Sequence, residues 1–176
     1  AWVQKYGKKA AFFCTNDAQT EPLLRQVAKY GAFFVEPDLP SPLMGYPGAF
    51  GIDLAKEKGN WAAILKKVEQ VVIKAGGKGR MGTWAYSYGY ATTATLGEYG
   101  KRIVEKKAKL GNMKDLMNAY EKYTPGAKWN GSNYVDMGTG ARKKNFILVY
   151  QDTYVFGKGY MGATSVKVPE KYLKIK

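Results

Sequence analysis

Two short apolar runs on either side of an amphipathic helix restrict the folds that this chain can adopt. The first run covers residues 10–15 and the second covers residues 32–35. Between them, apolar residues recur at helical spacing from Leu23 to Tyr30 and stop at Gly31, a residue type that commonly ends helices. A strand, a helix and a strand in this order form a βαβ unit, whose strands are parallel. The pattern therefore predicts a parallel α/β fold.

Pro22 determines where this first helix begins. Proline has no backbone N–H and fits only the first turn of a helix, so the regular helix should start near Thr20 or Glu21. Asn16 and Asp17 are then left in a loop at the carboxyl end of the first strand. Ligands of open α/β sheets bind outside the carboxyl ends of the strands, so this loop is a candidate binding segment.

Further helices and strands follow along the chain. Asn60 predicts the start of a helix over residues 61–74, residues 79–86 are a third strand candidate, and two more helices begin near Ser87 and Asn112. The last part is mainly β, over residues 132–137 and 145–150. A loop rich in proline and glycine over residues 37–51 has two interpretations, a lid over a binding site or a rigid connector.

The composition removes several classes of function. The chain has no histidine, which excludes histidine-based acid–base catalysis, Ser-His-Asp triads and the commonest transition-metal ligand. The single cysteine, Cys14, cannot form an internal disulfide, and its apolar surroundings predict a buried structural thiol. We predict no metal site, no cofactor and no catalytic residue.

The formal net charge of +14 is typical of proteins that bind nucleic acids. However, only four of the 28 basic residues are arginines, which leaves 24 dispersed lysines. Specific recognition of bases and phosphates prefers arginine, because its guanidinium group makes two hydrogen bonds at once. We therefore predict no nucleic-acid partner. Weak attraction to an anionic membrane surface or cell wall fits the charge equally well.

Polar and aromatic residues follow each of the three predicted parallel strands. Asn16 and Asp17 follow the first strand, Glu36 follows the second, and Trp84 and Tyr86 lie at the end of the third. We predict these five residues to bind a small polar or aromatic ligand, with the rings stacking on it. Strand alternation would place both rings on one face. The competing interpretations are a capping turn for the first pair and core or surface packing for the aromatic residues.

Three stretches of the sequence resemble type I periplasmic binding proteins. Residues 12–18, FFCTNDA, resemble the strand and ligand-facing loop that open the second lobe of those receptors. Residues 80–85, RMGTWA, with the helix through Tyr99 and Ile103, resemble the hinge strand and the helix that returns to the first lobe. Residues 145–150 with residues 156–160 are most similar to the DUF3798 family, which is related in shape to the basic membrane lipoproteins and to sugar- or nucleoside-binding receptors.

The resemblance implies a fold and a domain organisation. The expected fold class is α/β, a parallel-sheet three-layer sandwich resembling one lobe of a type I periplasmic binding protein and incomplete without an N-terminal lobe. Residues 1–176 would form a single unit, the C-terminal lobe. A hinge return segment near residues 83–107 is a candidate for the missing lobe.

The resemblance also implies a function. The chain would be an extracytoplasmic solute-binding receptor module, anchored to the membrane through its parent protein. It would close on a sugar, a nucleoside or a flavin-like ring and deliver this ligand to an ABC permease. One alternative is a lysine-rich surface adhesion or structural protein. Another is an enzyme in which a carboxylate such as Asp17 or Glu36 acts as a base.

Overall fold

The computed structural model describes residues 1–162, apart from the side chains of residues 144 and 145. The predicted single unit over residues 1–176 therefore includes a final segment that lies outside the described residues. Short 3-10 turns occupy Asp17–Gln19 and Ala55–Glu57. The helices and strands, in chain order, are α1 (Trp2–Tyr6), β1 (Ala11–Phe12), α2 (Thr20–Tyr30), β2 (Phe33–Phe34), α3 (Tyr46–Phe50), α4 (Trp61–Val72), β3 (Gly82–Thr83), α5 (Tyr88–Val104), α6 (Met113–Tyr123), β4 (Trp129–Val135), β5 (Arg142–Gln151), β6 (Tyr154–Val155) and β7 (Gly159–Tyr160).

The βαβ unit predicted near the start of the chain is confirmed. Strands β1 and β2 are parallel, with Phe12 opposite Phe34, and α2 connects them. Phe34 also forms an isolated parallel bridge with Met81, just before β3. Helix α2 begins at Thr20, so Pro22 lies in its first turn, and it ends at Gly31 in the left-handed conformation, with φ of 74°.

The remaining strands are antiparallel, and the prediction of a parallel-sheet three-layer sandwich is wrong. Strand β6 pairs antiparallel with both β3 and β7, and β4 and β5 form a separate antiparallel pair. Only a few residues connect β4 to β5 and β6 to β7, and short connections cannot join parallel strands, which need a long crossover. Gly140 and Gly157 adopt positive φ in these turns. The described chain is a mixed α/β protein.

The buried apolar residues form two clusters. The first surrounds the βαβ unit and contains residues from α2, α3 and α4, with Phe34, Tyr46 and Phe156 fully buried at its centre. The second lies between α5, α6 and the β4–β5 pair, and includes Tyr99 and Tyr120. Burial of these side chains is the main favourable contribution to folding in each part. Helix α5, inside the predicted hinge return segment, belongs to the second cluster.

The loop rich in proline and glycine is attached to the first cluster. The Tyr46 hydroxyl donates a hydrogen bond to the Gly82 carbonyl oxygen at 2.6 Å, and the Arg25 guanidinium donates to the Gly48 carbonyl oxygen at 3.1 Å. Cys14 is buried in the same cluster, as the sequence predicted. These contacts favour the rigid connector over the lid. No helix in the described part of the chain is long and apolar enough to cross a bilayer.

Candidate functional site

The carboxyl ends of β1, β2 and β3 lie at one edge of the sheet. This follows from the geometry, because β1 is parallel to β2, and Phe34 of β2 is bridged in parallel to Met81. The loops that leave these three strands carry all five predicted ligand-binding residues. We call this edge, with residues 15–19, 35–39, 84–87 and 151–153, the rim.

Hydrogen bonds join the loops of the rim to one another. The Leu39 amide donates to Asp17 Oδ1 at 3.2 Å, which joins the loops after β1 and β2. The Thr153 hydroxyl donates to Glu36 Oε2 at 2.9 Å, and the Ala85 amide donates to Gln151 Oε1 at 2.9 Å. Side chains from separate parts of the sequence therefore hold the rim together.

Asn16 organises the first loop, whereas Asp17 connects it to the second. Asn16 Oδ1 accepts a hydrogen bond from the Ala18 amide at 2.9 Å and caps the 3-10 turn Asp17–Gln19. This is the capping turn that the sequence left open as an alternative. Asn16 is exposed and Asp17 is partly buried, so both stand at the surface of the rim where a ligand can reach them.

Glu36 is a second partly buried carboxylate of the rim. Its pKa is raised above the ordinary value because burial disfavours the charged form, and the hydrogen bond from Thr153 offsets part of this effect. The same carboxylate helps to raise the pKa of Tyr46, for which burial is the larger cause. Glu36 accepts hydrogen bonds in either protonation state.

The prediction that Trp84 and Tyr86 lie on one face of the third strand is wrong. Strand β3 ends at Thr83, before either residue, and strand alternation therefore does not apply. Trp84 is buried and its ring packs edge-on against Trp129, with centroids 5.6 Å apart. Tyr86 instead lies 6.0 Å from the Trp61 ring, and its hydroxyl donates to the Pro125 carbonyl oxygen at 3.0 Å.

An aromatic pocket of about 140 Å³ opens beside the rim. Its walls include Trp61, Tyr86 and Tyr160, together with Leu65 and Gly126. Burial raises the pKa of Tyr86, and burial followed by the nearby Tyr86 hydroxyl raises the pKa of Tyr160 to about 12. Both phenols are therefore protonated at neutral pH, and the single O–H of Tyr86 is already donated to the Pro125 carbonyl oxygen. The pocket offers ring faces and hydroxyl groups, which suits a flat, partly polar group.

Sequence reasoning missed Trp61 and Tyr160 as pocket residues. Asn60 correctly predicted that α4 starts at Trp61, but α3 and a long loop separate α4 from β2, so the position of Trp61 relative to the rim could not be predicted. Tyr160 carried no such signal, since its position depends on the antiparallel pairing of β7 with β6.

One buried amide beside this pocket donates to no described acceptor. Gln151 is buried, and its Oε1 accepts from the amides of Ala85 and Tyr86 at 2.9 and 3.4 Å. Its Nε2 finds no hydrogen-bond acceptor among residues 1–162. A buried polar group normally has a partner, so this nitrogen is a donor that the fold itself leaves unused. No cluster of potential metal-ligating side chains occurs within the same described range.

Comparisons with known proteins identify relatives of both parts of the chain. The family model "Protein of unknown function (DUF3798)" matches residues 1–82, and a second family model without a functional description matches residues 93–175. Two uncharacterized proteins of Treponema pallidum (strain Nichols) are similar. One is 31% identical over 80 residues, which is 46% of this chain and 35% of the relative. The other is 32% identical over 76 residues, which is 43% of this chain and 85% of the relative.

A solved structure shares the fold. The crystal structure of a "Putative transcriptional regulator" from Clostridium difficile 630 matches with a TM-score of 0.75 at 18% sequence identity. The match covers 88% of this chain and 43% of that chain. This chain thus spans about a third of the first Treponema relative and less than half of the solved structure. At this identity the likeness shows the fold alone.

Proposed function

Because the chain belongs to the DUF3798 family of proteins of unknown function, we propose its role from the rim and the aromatic pocket: it is a ligand-binding module that captures a small polar or aromatic molecule. The observation that carries this proposal is the pocket lined by Trp61, Tyr86 and Tyr160. It opens at the edge where parallel strands end, which is the usual ligand site of α/β sheets.

The size of the aromatic pocket indicates how much of a complete ligand-binding site this chain provides. Complete small-molecule sites enclose about 300–1,000 Å³, whereas the aromatic pocket encloses about 140 Å³. It can hold one ring or head group, and a second surface would cover the rest of the ligand. This supports capture in a cleft between two lobes, with closure shifting an equilibrium between open and closed forms. The proposed likeness to type I periplasmic binding proteins concerns this mode of capture, and not the arrangement of the sheet.

The rim residues have complementary parts in this proposal. Tyr86 stacks on the ligand, and Asn16, Asp17 and Glu36 receive its polar groups when the cleft closes. Trp84 supports the loop that carries Tyr86, because its ring packs on Trp129. The ligand would be a sugar, a nucleoside or a flavin-like ring, and a membrane-anchored extracytoplasmic parent protein would pass it to an ABC permease.

Ligand sensing is a second candidate that uses the same pocket. It is favoured by the fold shared with the solved structure described as a transcriptional regulator. A transport receptor should release its ligand to a permease, whereas a sensor should change its affinity for another macromolecule when the ligand binds. If the chain is instead a lysine-rich adhesion protein, it should bind anionic polymers, and its affinity for them should fall steeply as the salt concentration rises.

The test begins with native mass spectrometry of the parent protein purified from its source, which shows which small molecule accompanies it. That molecule is then titrated against the wild type and Tyr86→Ala by calorimetry, with the exposed Tyr30→Ala as the matched control. Loss of the stacking ring should weaken binding by about tenfold, while the control should bind like the wild type. Unchanged affinity of a Tyr86→Ala protein that still melts cooperatively would remove the aromatic pocket from the site.

A further inference from the structure

A large apolar groove shares no lining residue with the aromatic pocket. It encloses about 430 Å³ between α5, α6 and β5. Its floor is the second core cluster, with Tyr99 and Tyr120. Three large apolar residues at its walls remain strongly exposed: Leu96 is 52% exposed, Leu110 is 79% exposed and Phe146 is 53% exposed. We call these three residues the apolar patch.

The exposure of the apolar patch is unusual for a soluble surface. Single exposed apolar residues are common, but several around one groove mark a site of contact with another apolar phase. Leu110 is the most exposed of the three and lies in the connection between α5 and α6. The apolar patch is continuous with the groove, because all three of its side chains also line the groove.

The segment that carries Leu110 is strongly basic. Residues 101–114 contain five lysines and one arginine against a single acid, Glu105. Lys101 and Lys107 both pair with that one carboxylate, at 3.8 and 2.8 Å, and Arg102 pairs with Glu98 outside the segment. The other three lysines of the segment form no ion pair among residues 1–162. Lys106 adopts a left-handed φ of 60°, which side-chain-bearing residues rarely do. It thereby turns the chain sharply between the end of α5 and Leu110.

We propose that the apolar patch and the basic segment 101–114 form a docking surface for an anionic lipid bilayer. Apolar side chains flanked by lysines are the combination that binds membrane interfaces, because the former enter the acyl boundary and the latter attract acidic head groups. A second copy of the chain would bring the same positive charge and be repelled. A nucleic acid or anionic polysaccharide would attract the lysines but offer no apolar phase for Leu110. This proposal is independent of the ligand-binding proposal.

The test is co-sedimentation of the chain with vesicles of phosphatidylcholine alone or with 30% phosphatidylserine. The wild type should bind the anionic vesicles at least tenfold more tightly. The double variant Leu96→Ser/Leu110→Ser, which keeps every charge, should weaken this binding by about tenfold. The triple variant Lys106→Gln/Lys107→Gln/Lys109→Gln should remove the preference for phosphatidylserine.

Matched controls separate this surface from general charge and general hydrophobicity. Met137→Ser removes an apolar residue that is 74% exposed but lies between β4 and β5. The triple variant Lys56→Gln/Lys58→Gln/Lys66→Gln removes three exposed lysines near α4. Both controls should bind anionic vesicles within about twofold of the wild type.

Three outcomes overturn the proposal. The first is a wild type that does not distinguish the two vesicle types at low salt. The second is a leucine double variant that folds, as its melting curve shows, and binds as tightly as the wild type. If a short DNA duplex then competes fully for the lysines, the surface is a general polyanion site and the bilayer is not its partner.

Discussion

The replacement Tyr46→Phe tests whether the loop over residues 37–51 is a rigid part of the fold. The Tyr46 ring is fully buried and packs edge-on against Phe156, with centroids 5.1 Å apart. Its hydroxyl donates to the Gly82 carbonyl oxygen at 2.6 Å, which connects the loop to β3. Phenylalanine keeps the ring and its packing, so the variant removes this hydrogen bond and little else.

The expected loss follows from the burial of the acceptor. Removing one partner of a buried hydrogen bond leaves the other unsatisfied, and we expect the free energy of unfolding to fall by about 1–2 kcal/mol. In a chain of this length, that loss corresponds to a melting temperature lower by about 2–8 °C. The pKa of Tyr46, well above its ordinary value because of burial, means that the hydroxyl is neutral throughout the accessible pH range.

Thermal and urea denaturation followed by circular dichroism measure this effect. Tyr30→Phe is the matched control, because Tyr30 is exposed. The control should unfold like the wild type, and the urea m-value of Tyr46→Phe should be unchanged. A melting temperature of Tyr46→Phe equal to that of the control would falsify the reasoning, since the bond would then contribute nothing to the fold.

Two carboxylates predict opposite dependences of stability on pH. Burial raises the pKa of Glu36, so its contribution to stability is complete below the ordinary value of 4.5 and is lost as the pH rises through the folded-state pKa. Glu36→Gln should therefore stabilise the protein at neutral pH and show no advantage in acid; a neutral-pH loss in urea denaturation would contradict this. Hydrogen bonds from Lys122 and Arg102 lower the pKa of Glu98 to about 2, so its contribution is present above 4.5 and lost as the pH falls toward about 2. Glu98→Gln should destabilise at neutral pH and converge with the wild type in acid, and a pH-independent difference would rule out the charge as its cause.

The candidate site was predicted in part. The rim could be placed because parallel strands end at one edge, and the loops with Asn16, Asp17 and Glu36 do lie there. The sequence could not show which aromatic residue lines the pocket. Trp84 packs against Trp129 and Tyr86 lies beside Trp61, and both contacts depend on the tertiary structure. Trp84 joins the second core cluster through Trp129, a residue 45 positions later in the sequence, and such a contact leaves no local signal.

Local patterns determined the four long helices α2, α4, α5 and α6 and the first βαβ unit. The side chains of Asn60, Ser87 and Asn112 accept capping hydrogen bonds at the starts of α4, α5 and α6, as expected from their positions before apolar helical patterns. Capping and periodicity act within a few residues, so the sequence alone was enough. The pairing of β6 with β3 and the composition of the aromatic pocket were decided only in the tertiary structure. There, pairing and packing between distant segments outweigh local preference.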